Sequence, residues 1–176
     1  MPETYSSEMR IPKERIAIAI GKKGITKKSL ERKTSTRITI SKEGDVIISG
    51  QDNINIYVAS LVLKAIGRGF NPEIAFLLLD EHNTIEIVPI EDFSKKSKKG
   101  MIRIKARLIG REGKARQMLE VLTKTHISIY GKTTAIIGEI YDVLLAKHAV
   151  EKLLQGSPHG NVYKYIESQK NHKLYK

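Results

Sequence analysis

Cysteine is absent from the 176 residues, so no disulfide framework, thiol nucleophile or cysteine-ligated zinc site can be built. That absence fits an intracellular protein, and a cytoplasmic location is expected. Tryptophan is also absent and aromatic residues make up only 6% of the chain, too few for a module that reads bases mainly by stacking. Long apolar runs are missing: Ile74 to Leu79 is the most apolar stretch and is far too short to span a bilayer. Met1 to Met9 lacks the basic start and apolar run of a signal peptide.

What the chain does have is positive charge, a net +12 with an isoelectric point near 9.8. Such an excess of Lys and Arg favours phosphate-bearing partners, nucleic acid first among them. The charge is uneven. Residues 1–70 hold 13 basic and 7 acidic residues, residues 71–93 none basic and 6 acidic, and residues 94–176 hold 18 basic and 6 acidic. Two basic blocks around an acidic waist imply two binding units and a connector. The length fits two domains of roughly 70 to 90 residues each.

The two blocks repeat each other. Ile20-Gly21-Lys22-Lys23-Gly24 returns 89 residues later as Ile109-Gly110-Arg111-Glu112-Gly113. At the same offset Leu30-Glu31 matches Leu119-Glu120, Thr34 and Thr36 match Thr123 and Thr125, and Ile38 and Ile40 match Ile127 and Ile129. With one deletion, Ile47-Ile48-Ser49-Gly50 matches Ile136-Ile137-Gly138. Ordered self-similarity of this kind marks a duplicated structural unit.

Each copy reads as strand, helix, Gly-bounded turn, helix, strand, strand, helix. In the first copy, the expected elements are a strand over Met9 to Pro12, helices over Lys13 to Ile20 and Thr26 to Lys33, strands over Arg37 to Ser41 and Asp45 to Gly50, and a helix to about Arg68 capped by Asp52 or Asn53. In the second copy, Thr84 to Phe93 is the first strand, and Ser94 is positioned to cap a helix from Lys95 to Ile109, broken at Gly100. Lys114 to Thr123 and Tyr141 to Leu154 are the later helices, with strands over His126 to Tyr130 and Thr134 to Gly138. Pro72 to Leu79 is expected as a helix buried between the modules, and His159 to about Gln169 as a last helix fraying into a basic tail.

A Gly-x-x-Gly turn between helices has a physical purpose. It takes backbone angles that residues with a Cβ avoid, and it lets the chain approach a phosphate closely. The next helix then aims free N–H groups and its positive dipole end at that phosphate. Lys22, Lys23 and Arg111 suit such contact, and Glu112 does not. This order of elements resembles the eukaryotic-type KH domain, which clamps a short single strand at the turn and lays its bases along an adjoining groove.

The fold implied is α+β: two KH modules of order βααββα, each a three-stranded antiparallel sheet with three helices on one face, packed in tandem. They would span residues 8–70 and 84–156, with a connector helix in 71–83 and a C-terminal helix and basic tail in 157–176. The resemblance implies RNA contacts from Gly21, Lys22, Lys23, Gly24, Gly110, Arg111, Glu112, Gly113 and Lys114. It implies groove walls from Leu30, Ile38 and Ile40, then Leu119, Ile127 and Ile129. Many KH domains carry an aliphatic residue three positions past the second glycine. Lys27 and Arg116 stand there, adding phosphate or base-edge donors.

Other chemistries find little support. Lys28-Ser29 sits out of register for a Walker loop, and Pro72 stands where a dinucleotide fingerprint needs its third glycine. The five His residues are scattered, and Asp80-Glu81-His82 reads as a turn, not a nuclease site. No nucleophile–base pair, metal site or cofactor is expected. The run Lys95-Lys96-Ser97-Lys98-Lys99 is either a solvated helix start or an RNA-backbone contact.

Longer stretches carry the resemblance further. Ala106 to Lys114, Thr125 to Gly131, Ile136 to Gly138, Leu153 to His159 with Val162-Tyr163, and Gly67 to Ile74 resemble the partner-of-Nob-one family over about residues 8 to 168. Membership implies a small-ribosomal-subunit assembly factor that binds the 3′ region of precursor rRNA and works beside the Nob-one endonuclease. Eukaryotic members lack an intact Gly-x-x-Gly in the first module. Both turns are intact here, which implies an archaeal homologue, and archaeal members are associated with the alpha subunit of translation initiation factor two. Two alternatives remain open on the residues alone: a KH scaffold for protein contact and a general mRNA-binding regulator.

Overall fold

Residues that alternate in polarity pair as strands in both halves of the chain. In the first half, Arg37–Ile40 (β2) runs antiparallel to Asp45–Gly50 (β3), with Ile38 opposite Ile48 and Ile40 opposite Val46. Ile38, Val46 and Ile48 are buried while Arg37, Thr39 and Ile47 are exposed, the period of two that a half-covered sheet requires. Tyr5–Arg10 (β1) pairs with the other side of β3, giving the order β1-β3-β2. The computed structural model describes residues 3–174, and these divide into two compact units between Glu81 and His82. The second unit repeats the sheet with Asn83–Pro89 (β4), His126–Tyr130 (β5) and Thr133–Glu139 (β6) in the order β4-β6-β5.

Helices cover the apolar face of each sheet. In the first unit these are Ile16–Ile20 (α1), Ile25–Thr34 (α2) and Asn53–Gly67 (α3). Along α3, Ile56, Ala59, Val62, Leu63 and Ile66 are buried at helical spacing and pack towards β1 and β3. The Asp52 carboxylate caps α3 by accepting from the Ile54 amide at 2.7 Å. Pro72–Ala75 (α4) and a 3₁₀ turn over Phe76–Leu79 follow. In the second unit the helices are Lys98–Ile109 (α5), Lys114–Thr123 (α6), Ile140–Leu154 (α7) and His159–Leu174 (α8). Leu108, Leu119, Ile136, Leu153 and Ile166 meet in its core.

Several segments depart from the sequence expectations. The strand expected over Thr84 to Phe93 ends at Pro89 and gives way to a 3₁₀ turn over Glu91–Phe93, and the helix expected over Lys13 to Ile20 opens as a 3₁₀ turn over Lys13–Arg15. The 72–79 segment is not one helix; it is a short helix and a 3₁₀ turn that pack on α3, with Ala75 and Leu78 buried. Strand β1 starts at Tyr5, ahead of the expected Met9, because most of this edge strand is exposed and shows no apolar alternation. Helix α5 begins at Lys98 and is capped by Ser97, whose Oγ accepts from the Gly100 amide at 2.8 Å, so Gly100 does not break it. Ser94 instead donates to the Glu91 carbonyl and closes a 3₁₀ turn before the helix, and Lys95 and Lys96 take left-handed angles. Helix α8 runs on to Leu174: Ile166 anchors it in the core, and Lys173 lies 4.1 Å over the Tyr141 ring. The last two residues of the expected basic tail lie outside the described residues. Among the described residues, no helix is long and apolar enough to cross a membrane.

Candidate nucleic-acid interface

Each Gly-x-x-Gly turn joins two helices, α1 to α2 and α5 to α6, and the two turns have the same backbone. Gly21 and Gly110 sit at φ +77° and +75°, Lys23 and Glu112 both at +54°, and Gly24 and Gly113 at +76° and +75°. Three left-handed residues in four are tolerated only because two are glycine. The first glycine is needed twice over. A Cβ on Gly21 would lie 2.3 Å from Thr26 Oγ1, and one on Gly110 would lie 2.6 Å from Ala115 Cβ. Here the close approach is to the next helix of the chain itself.

That geometry shapes the start of α2 and α6. Their N-caps are Gly24 and Gly113, and neither helix has a side-chain cap. The Ile25 and Lys114 amides donate to the Lys22 and Arg111 carbonyls of the turns, and no side chain competes with an anion for the positive end of either helix. Lys22, Lys23, Arg111 and Lys114 stand around these ends and are exposed. Glu112 is exposed too and lies 3.8 Å from Lys114, a solvent-screened pair. Ile25, which begins α2 and is 64% exposed, is an apolar neighbour of the first turn that charge-based reasoning passes over.

Lys27 and Arg116 do something other than the sequence expectation. Lys27 Nζ donates to the Ile38 carbonyl at 2.9 Å and to Glu31 Oε1 at 3.2 Å, and Glu31 Oε1 accepts from the Ile38 amide at 2.7 Å. In the second unit Arg116 donates to the Ile127 carbonyl at 3.3 Å and to Glu120 at 3.4 Å, and Glu120 accepts from the Ile127 amide at 2.7 Å. Part of each cation's donor capacity is thus spent inside the protein. The recurrence of Glu31 as Glu120, four residues past a cation, was the available signal for this role.

The expected groove walls divide as well. Leu30, Ile38, Leu119 and Ile127 are at most 2% exposed, so their side chains belong to the core and cannot touch a ligand there. Ile40 and Ile129 are half-buried, and Ile129 packs against the core of its unit. The four lysines from Lys95 to Lys99 are exposed, but Lys95, Lys96 and Lys98 border an open hollow shared with Glu91 and Asp92, so that surface is mixed in sign. Lys170 on α8 has its pKa lowered by desolvation and by the charges of Lys124 and Lys173, against an opposing pull from Asp142. Among the described residues, no group of three or more His, Asp or Glu side chains is placed to hold a metal ion.

Comparison with known proteins agrees with this geometry. A family model of the eukaryotic-type KH domain (KH-domain type I), that of the second PNO1 KH domain, matches residues 84–171, and a general KH-domain model matches residues 6–64. The chain is 42% identical over 166 residues to a KH domain-containing protein of Methanocaldococcus jannaschii, covering 92% of this chain and 73% of that one. It is 33% identical over 103 residues to the pre-rRNA-processing protein PNO1 of Candida albicans, covering 57% of this chain and 37% of that one. Among solved structures, a chain in the a/eIF2alpha–aDim2p–rRNA complex from Pyrococcus horikoshii superposes with a TM-score of 0.89 at 44% identity, covering 96% of both chains.

Proposed function

The chain belongs to the PNO1 family of RNA-binding KH proteins, in its archaeal form, and from that premise we propose that it binds single-stranded RNA near the 3′ end of precursor small-subunit rRNA during ribosome assembly. The observation that carries this reading is the pair of superimposable turns. Each presents a helix start without a side-chain cap and with exposed cations beside it, which suits a phosphate backbone. Lys22 and Lys23 at the first turn, and Arg111 and Lys114 at the second, contact phosphates. Each module holds about four nucleotides, as KH modules do. The pre-rRNA-processing role named for the Candida relative supports the rRNA target. The complex that contains the Pyrococcus chain supports the initiation-factor alpha subunit as a protein partner.

Salt dependence tests the proposal. Binding to a short single strand is expected to weaken with a log–log slope of about −0.7 per phosphate neutralised. Replacing Lys22 and Lys23 with Asp should weaken binding and flatten the slope, and Arg111→Asp with Lys114→Asp should do the same for the second module. Unchanged affinity in both double variants would remove the turns from the site.

A further inference from the structure

The duplicated contact from α2 to β2, and from α6 to β5, occupies a defined part of each sheet. Ser41 N donates to Asp45 O at 2.9 Å, so alternation along the antiparallel pair turns the amide and carbonyl of Ile38 to the open side of β2. An unpaired strand edge next to a binding surface would be hydrated, flexible and open to a foreign strand. Here one carboxylate and one cation, four residues apart on the facing helix, take both groups. The second unit does the same at Ile127 with Glu120 and Arg116.

We propose that Lys27–Glu31 and Arg116–Glu120 are positioning clips that hold the helix wall of each RNA groove at a set distance from its strand wall. Resting on the RNA-binding reading above, this assigns the four residues a role without phosphate contact. The chemistry favours it. Charge-assisted hydrogen bonds to backbone groups are the strong, directional kind; they are short at Lys27, Glu31 and Glu120, 2.7 to 2.9 Å, and longer at Arg116, 3.3 Å, on side chains that are 22% to 37% exposed. The two copies use Lys in one and Arg in the other for the same two bonds. A clip needs a cation that reaches the carbonyl, not a particular cation.

Glu31→Ala and Glu120→Ala separate this from simple electrostatics by the sign of their effect. Deleting a carboxylate from a polyanion-binding face strengthens binding if charge alone matters. Loss of a clip weakens binding, by about tenfold for a misplaced groove wall. The expected result is weaker binding to a short single strand, with the salt slope of the parent protein. The swaps Lys27→Arg and Arg116→Lys should leave affinity unchanged. Tighter or unchanged binding in the Glu variants overturns the clip, as does a slope lowered by Lys27→Met or Arg116→Met. If a variant fails to fold, native-state hydrogen exchange on the parent protein decides: slow exchange of the Ile38 and Ile127 amides is expected, and fast exchange overturns the clip. Failure of the parent to bind RNA would instead reject the functional reading itself.

Discussion

The Arg107 guanidinium donates to the Ser157 carbonyl at 2.6 Å, fastening the loop before α8 to the last turn of α5, three residues ahead of the second glycine turn. His159 Nε2 donates back to the Arg107 carbonyl at 2.8 Å. The Nε atom of Arg107 is buried and has no hydrogen-bond partner among the described residues, so the side chain already bears a desolvation penalty. Arg107→Met keeps most of the stem and removes the bond. It is expected to lower stability by about 1.5–3 kcal/mol, as loss of a charged hydrogen bond does. Urea denaturation measures this, with faster hydrogen exchange in α8 as the local sign. An unchanged midpoint would mean that packing of Val162 and Ile166 holds α8 without help from the loop.

The two glycines of a turn should differ in their tolerance of alanine. Gly113 has a left-handed φ but open space where a Cβ would go, so Gly113→Ala is expected to lose about 1–2 kcal/mol, the penalty of the backbone angle alone. Gly110→Ala adds a collision with Ala115, and its ψ of 176° puts it in a glycine-only region in place of the left-handed helical one, so it should lose about 1–3 kcal/mol more. Thermal melting of the two single variants gives the order, and equal losses would contradict it.

Thr123 and Thr125 form a buried hydroxyl pair 2.7 Å apart, and Thr123 also donates to the Leu119 carbonyl at 2.6 Å. Thr34 and Thr36 repeat the arrangement in the first unit. Thr123→Val strands the partner hydroxyl and is expected to lose about 1–3 kcal/mol. Adding Thr125→Val removes the stranded group, so the double variant should lose less than the sum of the singles. A double-mutant cycle on unfolding free energies checks this, and strict additivity would show that the two hydroxyls do not act together.

Much of the fold could be read directly from residue order. Helix α6 and strand β5 lie at Lys114–Thr123 and His126–Tyr130, the ranges expected from the repeat, because local periodicity and one buried face agree. The first half of strand β1 carried no such signal, because an exposed edge strand has little apolar pattern. The expected start of α5 is misplaced because Ser94 is a good capping residue type, while the cap in the fold is Ser97. Ser94 is buried in the preceding turn, where Ile90 donates to the Lys132 carbonyl and Phe93 packs against the core, tertiary contacts that local sequence does not display.

The binding site divides along the same line. Residue order alone determined the two turns, since a left-handed backbone at Gly21, Gly24, Gly110 and Gly113 is a local demand that glycine signals by itself. Residue order also set the sign of the partner, through the cations around those turns. Tertiary structure decided what Lys27, Arg116, Leu30 and Leu119 do. Whether a cation meets solvent or a strand carbonyl, and whether a leucine lines a groove or fills a core, depends on what lies across from it. That neighbour comes from a strand eleven residues along the chain, and only folding brings it within reach.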